Sequence, residues 1–296
     1  MGERALRTLV EGGAYFEGPR WHEGRWWVSD FYRYGVFAIT PAGDAEQVLE
    51  VEGQPSGLGW MPDGSLLVVS MREHRLLRRA PDGEVSVHAD LTEHCSGHLN
   101  DLLVDGSGRA YTGNFGFDIM NFADPAGTSL LRVEPDGTVS VEGEDLWFPN
   151  GMAIDGEELI VAETFAGRLT AFTIAADGSL RDRRVWGQIA PAADPAPAAE
   201  MIPRLGFAPD GIALDAEGHT WVADGLGGPM VRVAPGGEIV DEIRLPEGLQ
   251  AFACALGGED GRELLLCSAP DFIEANRKDV FEAVLLTTTV DVGGKP

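Results

Sequence analysis

Short apolar runs along the chain are separated by Gly, Asp and Asn clusters, and no long stretch carries the 3.6-residue period of an amphipathic helix. One block recurs: an apolar run, an Asp-Gly or Gly-rich turn, then a second apolar run. Its copies occupy residues 18–30, 57–70, 101–114, 151–164, 211–224 and 254–269. Two β-rich runs joined by such a turn read as an antiparallel hairpin. Most copies are followed by a further strand with its own turn, as in LLRRAPDGE (76–84) and LLRVEPDGT (130–138). The block starts are 39, 44, 50, 60 and 43 residues apart. A four-stranded unit at this spacing predicts an all-β, six-bladed β-propeller with antiparallel blades. The runs at 4–11 and 283–292 have no neighbouring hairpin partner, so they are predicted to pair in one blade. That pairing closes the ring and makes residues 1–296 one domain. Two stretches interrupt the period, the Ala/Pro-rich 188–209 and the aromatic-bearing 116–127. Both are expected to be loops beside a pocket.

Composition narrows the possible partners. Hydrophobic residues make up 44% and charged residues 24%, enough for a sizeable core. The 22 Lys and Arg against 48 Asp and Glu leave a net charge of −26. Such a chain repels phosphate backbones and anionic lipid, which argues against nucleic acid and membrane partners. There is no run of eighteen apolar residues, and the first residues lack the apolar core of a secretion signal, so a cytoplasmic location is expected. Cys95, Cys254 and Cys267 are too few and too scattered for a disulfide framework. Cys254 and Cys267 lie on the two strands of one predicted hairpin, as neighbours in the reduced state.

The candidate chemistry lies where each block begins. These junctions read Glu17-Gly18, Ser56-Gly57, Asn100-Asp101, Asn150-Gly151 and Asp210-Gly211, with Phe252-Ala253 in the sixth. The first strand of a propeller blade is innermost, so Glu17, Asn100, Asn150 and Asp210 are predicted to converge on the central channel. Two carboxylates and two amides suit a hard cation, and the lack of Cys or His argues against a zinc site. Asn-Gly and Asp-Gly are also common turn dipeptides, but a turn does not account for Glu at the first junction. Where each hairpin returns to the same rim stand Asp30, Asn114, Glu163 and Asp224, with Ser70 and Ser268 in the other blades. They are expected to orient the ligands or to read a substrate. His98, two residues before Asn100, is expected to face the same cavity.

Five of these segments, EGPRW (17–21), SGLGWMPDG (56–64), HLNDLLVD (98–105), FPNGMAID (148–155) and APDGIALD (208–215), resemble the gluconolactonase, regucalcin and senescence-marker family. The resemblance runs from about residue 9 to 292. It implies a six-bladed propeller with one divalent cation on its axis, calcium foremost with zinc, manganese or magnesium as alternatives, and hydrolysis of sugar lactones. It places the metal ligands on Glu17, Asn150 and Asp210 and a substrate contact on Asn100. The family usually has Arg where this chain has His98. His cannot grip a polyhydroxylated ring in a bidentate way, so a smaller or more apolar lactone is favoured. Trp147, Phe148, Phe115 and Phe117 near the rim point the same way. The expected function is metal-dependent lactone hydrolysis, with Asp210 as ligand and general base and with Asn100, His98, Asn114 and Glu163 on the substrate. The alternatives are a phosphotriesterase-like or aryl-esterase-like hydrolase on the same metal, and a non-catalytic propeller binding calcium or a partner. No G-x-S-x-G elbow is present, so a serine hydrolase is set aside.

Overall fold

The computed structural model describes residues 4–295. It contains six four-stranded antiparallel sheets, spanning residues 16–50, 55–90, 99–146, 149–188, 209–243 and 250–289. In the last, Arg7–Gly13 adds as the fourth strand beside Ala283–Thr289, with Arg7 opposite Thr287 and Gly13 opposite Ala283. The ring is closed by the two ends of the chain, as predicted. No helix among the described residues is long and apolar enough to cross a membrane.

Burial falls from the axis outward. Every residue of the second strands Leu66–Ser70 and Thr220–Asp224 is buried, because neighbouring blades cover both faces. The outer strand Ala45–Glu50 has none buried, and its sequence AEQVLE is accordingly polar. Asp-Gly dipeptides close many hairpins. The Asp63 carboxylate accepts from the Ser65 N–H at 2.9 Å while Gly64 takes φ +82°. Asp136 does the same for Thr138, at 2.9 Å, beside Gly137 at φ +88°.

The six first strands touch one another around the axis. Each carries a break in register near its start, for example between Pro149 and Met152 and between Pro209 and Ile212. Asn150-Gly151 and Asp210-Gly211 therefore lie inside bulged strands and not in hairpin turns. Their glycines serve packing. A Cβ on Gly151 would lie 2.5 Å from the Ile212 nitrogen, and one on Gly211 would lie 2.5 Å from the Ala253 Cα. A bulge frees the preceding side chain from the ladder and turns it toward the channel.

Cys254 and Cys267 are buried and free. They are not side-chain neighbours as expected. Cys254 stands opposite Leu266 and Cys267 opposite Ala253, so the two thiols project from opposite faces of the sheet into separate core clusters.

Candidate active site

The bulged strands bring Glu17, Asn100, Asn150 and Asp210, from four different blades, onto the wall of one cavity at the mouth of the channel. Phe252, at the sixth junction, lines it too, whereas Ser56 does not. The Gly18 N–H donates to Glu17 Oε2 at 3.0 Å. The Asn150 amide donates to Thr164 Oγ1 at 3.2 Å, and that hydroxyl donates to the Pro209 carbonyl at 2.7 Å. Asn100 Nδ2 donates to the Pro149 carbonyl at 3.4 Å. Asn100, Asn150 and Asp210 are thus tied together across three adjacent blades.

Of the two roles expected of the returning residues, they make bracing contacts near the junctions, and none of the four stands on the cavity wall. Asn114 and Glu163 are wholly buried and do not line the cavity. Glu163 accepts from the Trp147 N–H at 2.9 Å and from Arg168 Nε at 2.9 Å, with Arg183 Nη2 at 3.3 Å. Asn114 Oδ1 accepts from the Gly116 N–H and the Thr128 hydroxyl, each at 3.0 Å. Asp30 accepts from the N–H groups of Ala14 and Tyr15 at 2.9 and 3.1 Å, and Asp224 from that of Ala208 at 3.0 Å. In three blades the acid at the end of the second strand therefore holds the backbone just ahead of that blade's own cavity-facing residue, Glu17, Asn150 or Asp210. The residue after each of the four returning positions faces the cavity: Phe31, Phe115, Thr164 and Gly225. The rim positions on the cavity wall are thus the sequence neighbours of Asn114 and Glu163, the two residues expected on the substrate.

His98 is also displaced. It precedes the strand Leu99–Val104, so strand alternation does not carry it to the same side as Asn100. It lines a side chamber with His74, Cys95 and Asp118, behind Phe115. Burial, then the neighbouring Arg72 and His74, push its pKa down, which leaves the imidazole neutral near pH 7. Phe117 lines the same chamber, while Trp147 is absent from both walls. Both anticipated loops do wall the main cavity, 116–127 through Ile119 and Met120 and 188–209 through Ile202, Leu205 and Ala208. Tyr15, Tyr32, Phe165, Leu226 and Phe272 complete it and were not singled out from sequence. Phe272 belongs to an insertion with a short helix, Glu274–Arg277, that interrupts the sixth blade without a repeat signature.

Electrostatics make the floor of the cavity unusual. Burial is the main influence on Glu17; the Asp101 charge adds to it, against the Gly18 N–H, and its pKa is pushed up to about 8. Burial and then the charges of Glu17 and Asp101 raise Asp210 well above the ordinary carboxylate range. Arg20 offers limited relief because it is engaged by Asp101 at 3.1 Å and by the carbonyls of Pro19 and Leu102. No Lys, Arg or His lines the cavity. Among the described residues no three His, Cys, Asp or Glu side chains gather around one point. The set is two carboxylates and two amides. Two acids, Asp210 buried and Glu17 half-buried, with no cationic side chain on their wall fit an oxygen-ligated hard cation, which would stabilise both ionised forms.

The chain matches the SMP-30/Gluconolactonase/LRE-like region over residues 16–270. It belongs to that family. It is 28% identical to the pentonolactonase XacC of Haloferax volcanii, covering 86% of this chain and 81% of that protein. It is 30% identical to the 6-deoxy-6-sulfogluconolactonase of Pseudomonas putida, covering 91% and 88%. Its fold is similar to the crystal structure of a calcium-binding protein, regucalcin, from Agrobacterium tumefaciens. The TM-score is 0.78 at 21% identity, covering 100% of this chain and 98% of that one. Family membership thus agrees with the segments that carried the resemblance, all of which lie within the matched region.

Proposed function

We propose that the protein is a divalent-cation-dependent lactonase acting on a small-molecule cyclic ester. The observation that carries this reading is the convergence of Glu17, Asn100, Asn150 and Asp210 at the floor of an open, apolar-walled cavity. Family membership beside two lactonase relatives supports it, and the regucalcin neighbour makes calcium the first cation to test. A divalent cation held by Glu17, Asn150 and Asp210 would supply charge to polarise an ester carbonyl and to lower the pKa of nearby water. Asp210 acts as general base. Its carboxylate takes a proton from the water whose oxygen adds to the carbonyl carbon, the ring C–O bond breaks, and the proton passes to the released alkoxide. Beside a dication Asp210 is a weak base when free, so its contribution comes from position. Asn100 orients the substrate, and the aromatic wall keeps bulk water from the reacting ester.

The test is lactone hydrolysis by chelator-stripped protein before and after calcium, manganese, magnesium or zinc is returned. Activity should vanish on stripping and reappear with a cation. Asp210→Asn should remove most turnover. Near-normal turnover in a folded, cation-loaded Asp210→Asn protein would overturn the assignment, as would no hydrolysis of any lactone by the loaded native protein.

A further inference from the structure

We infer that this lactonase takes an uncharged lactone with a hydrocarbon body, alkyl-substituted or fused to an aromatic ring, and not a sugar-acid lactone. The inference rests on the lactonase reading and adds its substrate class. Of the twenty residues lining the cavity, six are phenylalanine and only Glu17 and Asp210 are charged. Phe115 and Phe148 stack at 4.4 Å with 11° between their planes, and Phe165 lies 5.6 Å from Phe148. They make a continuous apolar surface suited to a ring or a folded alkyl chain.

A polyhydroxylated ring would find few partners here. The Thr164 hydroxyl donates to the Pro209 carbonyl at 2.7 Å and that of Tyr32 to the Phe272 carbonyl at 3.4 Å. The amides of Asn100 and Asn150 donate to Pro149 and Thr164. Each amide keeps one N–H and its oxygen, which the cation and the ester carbonyl would take, and Tyr15 alone among the wall's hydroxyls has an uncommitted O–H donor, too little for a ring with a hydroxyl on nearly every carbon. An anionic substituent fares no better. The two carboxylates would balance one dication, and the nearby imidazoles of His74 and His98 are in the side chamber behind Phe115. An apolar pocket discriminates against added hydroxyls by roughly 100-fold for an isosteric change, and here several hydroxyls would enter at once.

The experiment pairs hydrolysis with binding. The cation-loaded protein is assayed on dihydrocoumarin, δ-nonalactone, δ-valerolactone and glucono-1,5-lactone. In parallel, the neutral fluorophore N-phenyl-1-naphthylamine is bound and each lactone is tested as a displacer. We expect kcat/KM for dihydrocoumarin or δ-nonalactone to exceed that for gluconolactone by about 100-fold or more, with the same order in displacement. Ile202→Gln, on the loop side of the wall, should narrow that ratio at least about tenfold while thermal unfolding stays like that of the native protein. Preferred hydrolysis of gluconolactone would overturn the inference and leave the lactonase reading standing. Displacement by apolar lactones alone, without hydrolysis of any, would uphold the substrate class and defeat the lactonase reading. Absence of both hydrolysis and probe binding would defeat the two together.

Discussion

Glu17 shows how one residue can couple stability to cation binding. Its carboxyl is raised from an ordinary 4.5 to about 8, so between these values the folded protein keeps a proton that the unfolded chain has lost. The contribution of this group to stability is therefore lost as pH rises through the window. Chelated protein should melt at a lower temperature at pH 8 than at pH 5, and Glu17→Gln should shrink that difference. Added calcium should raise the melting temperature more at pH 8, where protons compete less for the ligands; an equal rise at both values would count against the site. Gly211 makes a different test. A Cβ there meets backbone of the next blade, so Gly211→Ala should cost about 1–3 kcal/mol in urea unfolding and weaken cation binding. The ring of Glu17, Asn100, Asn150 and Asp210 was legible in the sequence because a bulge recurs at one point of every repeat and each copy places a single residue there. The substrate-facing residues were less legible. Asn114 and Glu163 have the polarity expected of contacts, yet burial at a strand end demands polar atoms just as strongly when the partner is backbone.

At the scale of the element, the acids at the second-strand ends act as braces. Glu163 ties the segment before Asn150 to Arg168 and Arg183 on two neighbouring strands, and its side chain is fully buried. Glu163→Gln removes the charge while keeping the shape, and it should cost about 3 kcal/mol in denaturant unfolding because two guanidinium groups lose their counter-ion. The loss of activity should follow that of stability and be recovered by lowering the temperature, which separates a brace from a substrate contact. The hairpins were readable because Asp-Gly turns and apolar runs repeat. The 270–282 insertion has neither, and nothing in its sequence ties Phe272 to the cavity.

For the whole molecule, closure and charge matter most. Arg7–Gly13 supplies the outer strand of the sixth blade, so a protein beginning at Ala14 would leave Ala283–Thr289 as an open edge. Such a truncation should unfold at a lower temperature in calorimetry and aggregate as it does so. The net charge of −26 surrounds the cavity mouth with a field that attracts divalent cations. Their association rate should fall as ionic strength rises, measured by stopped-flow with calcium.

The acid–amide ring comes from inner strands, whereas much of the apolar wall comes from the connecting loops at 116–127, 188–209 and 270–282. Part of the wall can therefore vary without touching the ring, while Phe115, Phe148 and Phe165 stand at the strand ends beside it. Loops transplanted from a relative could redirect this scaffold to another small molecule while its acid–amide ring stayed in register, and a family could diversify by exchanging rims around an unaltered hub.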